Sequence, residues 1–253
     1  MKPPPRIFIP QECVRIGECH PLDAELRHYL RDVLRQSDGA EVALVDRAGA
    51  TFRGRVRVSR DSWAVEVVGP SAEDRAVREP LRIHLILALL KGDRTEWAVQ
   101  KATELGVFRV LVGVCERSVP RAGSLQSPRV SRLQRVAAAA SCQCGRATVP
   151  EVSWHDGLRA AIEVLPAAAL RYRLDESSGV PPLATLLHEP AHDVVLAVGP
   201  EGSFSARERE LLDGAGFLPA ALGPRVLRAE TAAVVAVAVV QTVLGDLGPR
   251  PPG

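Results

Sequence analysis

The chain has 253 residues, of which 46% are hydrophobic and 25% charged, and its formal net charge is +2. That length suits one large domain or two smaller ones with a sizeable core. No stretch reaches the roughly 18 apolar residues of a membrane span, and Met1-Lys2-Pro3-Pro4-Pro5 has no apolar signal core, so a cytoplasmic location is expected.

Residues 1–70 read as a small β-rich domain. Residues 6–10 form a short strand ended by Pro10. The spacing predicts a helix over 23–34, with Leu22, Leu26, Tyr29, Leu30, Val33 and Leu34 on one face. Strands follow over 41–46, 51–58 and 63–68, with a hairpin-like turn at Arg47-Ala48-Gly49-Ala50. Arg53, Arg55 and Arg57 fall on one face of a strand, because side chains repeat every second residue. Such a stripe fits either a solvated face or a surface that tracks phosphate. Of the 32 basic residues only Lys2, Lys91 and Lys101 are lysine, which leaves 29 arginines. Arginine suits phosphate, although an arginine bias beside many Ala, Gly and Pro also reflects genome composition. With 4% aromatic residues, base stacking is not the main recognition device expected.

Residues 71–79 form a polar linker, and a second domain is expected over 80–247. An apolar strand over 81–90 is too hydrophobic for an exposed edge. Asp93, with Glu96 three residues on, predicts a capping box. The helix after it should bury Trp97, Ala98, Ala102 and Leu105 and end at Gly106. A strand over 108–114 completes a β-α-β unit and predicts a parallel sheet. Residues 127–144 predict a helix with Arg129, Arg132 and Arg135 beside an apolar face. A helix over 156–164 and a strand over 167–175 come next, and 248–253 is a Pro/Gly-rich tail.

The five cysteines are odd in number and lack zinc-knuckle spacing. Cys13 and Cys19 with His20, or Cys142 with Cys144, are the groupings a metal or redox reading would use. Small buried thiols in a reducing compartment are the expectation instead, and no metal is expected.

The chain is organised around residues 194–244. Val194-Val195-Leu196-Ala197-Val198 reads as a buried strand. The turn Gly199-Pro200-Glu201-Gly202 follows it, and Ser205 and Glu208 form a capping box for a helix. The logic repeats with Leu222-Gly223-Pro224, then Arg225-Val226-Leu227-Arg228-Ala229-Glu230-Thr231 and an apolar helix from about Thr231. Two strand-turn-helix units predict one crevice at the carboxyl ends of a sheet. Its backbone N–H and C=O groups suit reading a base edge. Neither a Gly-x-Gly-x-x-Gly fingerprint nor a P-loop is present, which disfavours dinucleotide and nucleoside-triphosphate enzymes.

These two motifs, in this order, resemble the ribosomal RNA small subunit methyltransferase E family, part of the SPOUT methyltransferases. Further resemblances are Lys91-Gly92-Asp93-Arg94 through Leu105-Gly106-Val107, Glu116-Arg117-Ser118, Gly145-Arg146 through Pro150, and His28 through Arg35. The chain departs from the family where Ala139–Cys142 lack an acid, at Ser203 in place of glycine and at Ala229 in place of threonine.

The resemblance implies an α/β fold: a C-terminal domain with a mostly parallel sheet and a deep trefoil knot, plus a small N-terminal PUA-like β-barrel. It implies transfer of a methyl group from S-adenosylmethionine to N3 of a uridine in the decoding region of 16S rRNA. Arg228, Glu201 and Glu230 are the catalytic candidates. Leu87, Gly199, Pro200, Glu201, Gly202, Leu222, Gly223, Leu227, Arg228 and Ala232 are the cofactor candidates. Arg6, Arg31, Arg35, Arg53, Arg55, Lys91, Arg117 and Arg146 are the RNA-binding candidates. The partner implied is 16S rRNA or the assembled small subunit, and a homodimer would form through the C-terminal domain. A methyltransferase for another RNA base and a non-catalytic RNA-binding assembly factor are the alternatives.

Overall fold

The structure, a computed structural model, describes residues 4–9, 14–46, 50–59, 62–71, 81–118, 126–146 and 148–247. Cys13, most of the expected turn at 47–50, nearly all of the linker and the tail lie outside these residues. The chain divides into two compact units, one made of 1–78 and 138–149, the other of 79–137 and 150–253.

In the first unit, strands β1 (Arg6–Phe8), β2 (Cys19–Pro21), β3 (Glu41–Val45), β4 (Thr51–Val58) and β5 (Trp63–Pro70) form one sheet in the order β1-β3-β4-β5-β2. The β1–β3 pair is parallel and the others are antiparallel. Alternation along β3, β4 and β5 sends Val42, Leu44, Val56, Val65 and Val67 into one core with Ile7 and Leu30. Gly54 sits where a Cβ would come within 2.8 Å of both Leu44 and Val65, so the two flanking strands close over it.

The expected helix over 23–34 is split. Helix α1 (Ala24–His28) runs into a π-helical turn, Tyr29–Val33, closed by Leu34 N–H donating to the Tyr29 carbonyl at 2.9 Å. A turn with i→i+5 bonds holds an extra residue. Spacing that would align a face therefore fails, and Tyr29 and Val33 are exposed while Leu30 is fully buried.

In the second unit, strands β6 (Arg82–Ala88), β7 (Arg109–Gly113), β8 (Glu151–His155), β9 (Leu170–Leu174), β10 (Asp193–Val198) and β11 (Leu218–Ala220) form a six-stranded sheet. The order is β11-β9-β10-β6-β7-β8 and every pairing is parallel. The connecting helices are α2 (Arg94–Glu104), α3 (Gln126–Cys144, of which residues 138–144 belong to the first unit), α4 (Leu158–Glu163), α5 (Leu183–Leu186), α6 (Ala206–Gly214) and α7 (Ala229–Val243). The domain is thus mixed α/β with a parallel sheet, as the β-α-β succession predicted.

Ile86, Ala88, Leu111, Val195 and Ala197 form one core with Leu158, Phe204, Leu212 and Phe217. The alternate residues Leu85, Leu87, Val110, Val194, Leu196 and Val198 are equally buried, and α7 packs against β6 and β10. Burial on both faces is why these strands read as unbroken apolar runs.

Two local expectations change at α2. Asp93 is its N-cap residue but makes no side-chain cap bond. Thr95 Oγ1 instead accepts from Leu90 N–H at 3.0 Å, so the side chain that fixes the turn sits one residue inside the helix. Trp97, expected in the core, is 43% exposed, and the buried face is Thr95, Ala98, Val99, Ala102 and Thr103. Among the described residues no helix is long and apolar enough to cross a membrane.

Candidate functional site

Strands β6 and β10 lie side by side in parallel, with Leu87 opposite Val198, so both chains leave the sheet at the same end. From β6 the chain passes through α2 to β7, on one side. From β10 it passes through α6 towards β11, on the other. Chains that depart in opposite directions from neighbouring strands open a crevice there, where ligands of parallel α/β sheets settle.

The Gly199–Ser205 turn lines one wall of that crevice. A Cβ on Gly199 would stand 3.1 Å from Phe204 N and 3.3 Å from its buried ring, so glycine lets the chain fold back this closely without displacing Phe204. Ser203 adopts a left-handed φ of 59°, donating its N–H to the Pro200 carbonyl and its hydroxyl to Glu176 Oε2 at 3.4 Å. The capping box expected at the start of α6 is present: Ser205 Oγ accepts from Glu208 N–H, and Glu208 Oε2 from Ser205 N–H. Glu208 Oε1 also accepts from Glu116 N–H at 2.9 Å, which ties the turn after β7 to the same helix end. Burial beside Glu208 pushes the Cys115 thiol far up, so this sulfur is inert at neutral pH.

Arg94 joins three segments. Its Nη1 donates to Glu201 Oε1 at 3.2 Å, and its Nε lies 3.7 Å from Glu230 Oε1. Lys91 N–H donates to the same Glu201 oxygen at 3.2 Å. The turn after β6, the turn after β10 and the first turn of α7 therefore meet at one guanidinium. Glu230 is buried, and its Oε2 has no hydrogen-bond partner among the described residues. A buried carboxylate oxygen left unpaired is costly and calls for a donor.

Leu87 and Pro200 are buried, Gly199, Leu222, Leu227 and Ala232 half-buried, and Glu201, Gly202, Gly223 and Arg228 exposed. Gly223 has φ 112°, a conformation only glycine adopts readily. Arg228 is the N-cap residue of α7, with no side-chain cap bond, and the described ion pairs of Glu201 and Glu230 are made by Arg94. Arg117 donates to the Gly202 carbonyl at 2.9 Å, bracing the crevice turn.

In the first unit Arg6 donates to the carbonyls of Gly145 and Arg146 at 2.5 and 3.0 Å, closing the end of α3. Arg31 makes two bonds to Asp32 and holds that carboxyl down to about 2. Arg35 is exposed with φ 52°. Arg53 is exposed, and its Nε donates to the Pro70 carbonyl at 3.3 Å, whereas Arg55 is half-buried and Arg57 is paired with Glu66. Of the thiols, Cys115 is buried and Cys142 half-buried, its pKa pushed up to about 11 by burial, but Cys19 and Cys144 are exposed, against the expectation of burial throughout. Among the described residues no group of three His, Cys, Asp or Glu converges on a metal site.

Sequence reading missed Arg94. Its signal was the position directly after a strand and turn that open on the crevice, but nothing local distinguishes it from a helix-start residue. Glu208 was read as a cap alone, and its second bond, to Glu116, joins residues 92 apart in the chain.

The RNA methyltransferase domain family matches residues 77–241. A ribosomal RNA small subunit methyltransferase E from Mycobacterium bovis is 32% identical over 78% of this chain and 72% of its own. A putative methyltransferase from Legionella pneumophila, solved with bound SAM, is 31% identical with a TM-score of 0.83, covering 97% of this chain and 100% of that one. A ribosomal RNA small subunit methyltransferase E from Neisseria gonorrhoeae, solved with S-adenosyl methionine, is 29% identical with a TM-score of 0.79, covering 96% of this chain and 99% of that one. With the parallel sheet, its switch-point crevice and these likenesses together, the chain belongs to the ribosomal RNA small subunit methyltransferase E family of RNA methyltransferases.

Proposed function

We propose that this protein transfers a methyl group from S-adenosylmethionine to N3 of a uridine in the decoding region of 16S rRNA, in the cytoplasm. The observation that carries the reading is the switch point between β6 and β10, where the turns after both strands and the start of α7 meet at Arg94 beside a buried Glu230 oxygen that has no partner among the described residues. Two relatives solved with that donor bound share the fold over nearly the whole chain.

Leu87, Gly199, Pro200, Gly202, Leu222, Gly223, Leu227 and Ala232 would line the donor. Gly223, where a Cβ would meet nothing within 4 Å, would admit it against the main chain, whose N–H and C=O groups can read an adenine edge. Bound donor supplies a methyl group on a positively charged sulfur. The target nitrogen carries a proton on its pairing edge, so the base must be unpaired and lose that proton. Holding both reactants in line contributes much of the rate. Arg228, exposed at the mouth of α7, would stabilise negative charge on the uracil ring as the proton leaves. Glu201 and Glu230 are the acids available to receive or orient it.

The domains proposed are a PUA-like RNA-binding barrel over 1–70, a linker over 71–79, a SPOUT domain over 80–247 and a tail over 248–253. The five-stranded sheet around a single core supports the barrel. The trefoil knot is supported by α7, which packs on β6 and β10, the middle of the sheet order, after the chain has already reached the edge strand β11. Arg53 and Arg55 lie beside each other on β4, where they would meet phosphates, with Arg6, Arg31, Arg35, Lys91, Arg117 and Arg146 as the other candidates. A two-fold homodimer is supported by half-exposed Val234, Val235 and Val239 on α7, with Val243 43% and Leu247 51% exposed.

The test is incubation of the purified protein with labelled S-adenosylmethionine and small subunits that lack the modification, followed by mass mapping. Label at N3 of one decoding-region uridine is expected. Label on another base would replace the substrate, and donor binding without transfer would favour an assembly factor.

A further inference from the structure

We propose that Arg94 is a positioning residue for the methyl-transfer reaction, holding Glu201 and Glu230 so that Glu230 Oε2 accepts the N–H of the target base. This rests on the function proposed above. Arg94 lies in the first turn of α2, Glu201 in the turn after β10, and Glu230 in the first turn of α7. The two carboxylates are separated by 28 residues of chain and would repel each other without a cation between them. They differ in what remains free. Glu201 Oε1 already accepts from Lys91 N–H and Arg94, and its side chain is 26% exposed. Glu230 is buried, faces Arg94 Nε with Oε1, and its Oε2 has no hydrogen-bond partner among the described residues.

A ring N–H is the donor such an oxygen lacks. Glu230 Oε2 takes the N3 proton. The nitrogen's electron pair then forms the new N–C bond to the methyl carbon, and the C–S pair returns to sulfur, which becomes a neutral thioether. The proton leaves Glu230 for solvent once the product departs. Arg94 touches none of the reacting atoms. Its contribution is to fix the carboxylate, and a misplacement of about 1 Å costs roughly 100-fold in rate.

The experiment compares the intact protein with Arg94→Ala, Arg94→Lys, Glu230→Gln and the Arg94→Ala/Glu230→Gln pair. Single-turnover transfer to small subunits lacking the modification is read alongside calorimetric S-adenosylmethionine binding and thermal unfolding. Arg94→Ala should lower the transfer rate about 100-fold, with donor affinity within about fivefold. Arg94→Lys should recover at least about tenfold of that loss, since an ammonium still pairs with one acid. The double variant should be no slower than Glu230→Gln alone, because residues that act as a unit are not additive.

A rate for Arg94→Ala within about threefold of the intact protein, or losses that multiply in the double variant, would overturn the positioning role while transfer by the intact protein upholds the function. No transfer by the intact protein would sink both.

Discussion

Asp193 Oδ1 and His84 Nε2 lie 2.8 Å apart on the neighbouring strands β10 and β6, buried at the end of the sheet away from the crevice. Arg82 donates to the other oxygen of Asp193, and Arg109 approaches His84 Nδ1 at 3.4 Å. Burial lowers the His84 pKa, against the pull of Asp193 and with the help of Arg109. Burial alone would raise Asp193, but the bonds from Arg82 and His84 outweigh it and hold the carboxyl below its usual value.

Both shifts have the same consequence for stability. A histidine with a depressed folded pKa binds its proton more readily in the unfolded chain, so its contribution is complete above about pH 6.5 and is lost as pH falls towards the folded value. Asp193 adds a second loss below about pH 4, again as pH falls through its folded pKa. Urea unfolding from pH 7.5 to 3.5 should show stability falling in these two windows. Asp193→Ala should cost about 1–3 kcal/mol at neutral pH, the cost of leaving buried His84 without its hydrogen-bond partner, and remove the lower window. A flat profile in the intact protein would rule the cluster out as a source of acid sensitivity.

Gly199→Ala tests the tightness of the turn. The added methyl meets Phe204 N at 3.1 Å and a ring that is 2% exposed, so the backbone has to shift. Overpacking of this kind costs about 1–3 kcal/mol. Calorimetry should find S-adenosylmethionine binding at least about tenfold weaker, the equivalent of 1.4 kcal/mol. Unchanged affinity would put the donor away from this turn.

Ser203→Gly should act in the opposite direction. Ser203 holds φ 59°, and its side-chain bond to Glu176 is long at 3.4 Å. A left-handed conformation costs a non-glycine residue about 1–2 kcal/mol, partly offset by the freedom glycine gains when unfolded. The net expectation is about 0.5 kcal/mol of stabilisation, or roughly 1–2 °C in Tm for a chain of this size. A fall in Tm would mean that the Glu176 bond outweighs the strain.

What the sequence disclosed follows from the range of the forces involved. β6 and β10 were legible because both faces are buried, which leaves no polar residue to interrupt the runs at 85–90 and 194–198. The capping box of α6 was legible because its partners are three residues apart. The π-helical turn at Tyr29–Val33 was not, since its apolar spacing also fits an α-helix and only tertiary packing decides. Thr95 displaced Asp93 at the start of α2 because its hydroxyl reaches back to the turn. The glycine turns of the crevice could be read as motifs. The guanidinium that joins them could not, because Arg94 meets Glu201 across 107 residues and no local pattern records such a contact.

Arg228→Ala separates chemistry from folding. Arg228 is exposed at the N-cap of α7, makes no cap bond, and leaves the pairing of Glu201 and Glu230 to Arg94. Its removal should therefore change stability by no more than about 0.5 kcal/mol, as for other surface positions. If it stabilises the anionic uracil, the transfer rate should fall about 100- to 1,000-fold, the loss seen when a charge-stabilising donor is removed. Arg228→Lys should retain part of the rate, because the charge stays while the forked geometry is lost. Single-turnover transfer, thermal unfolding and light scattering on the same samples distinguish the outcomes. A slow variant with an unchanged Tm and an unchanged oligomeric mass places Arg228 in the reaction. Near-normal transfer removes it and leaves the uracil charge to other groups in the crevice.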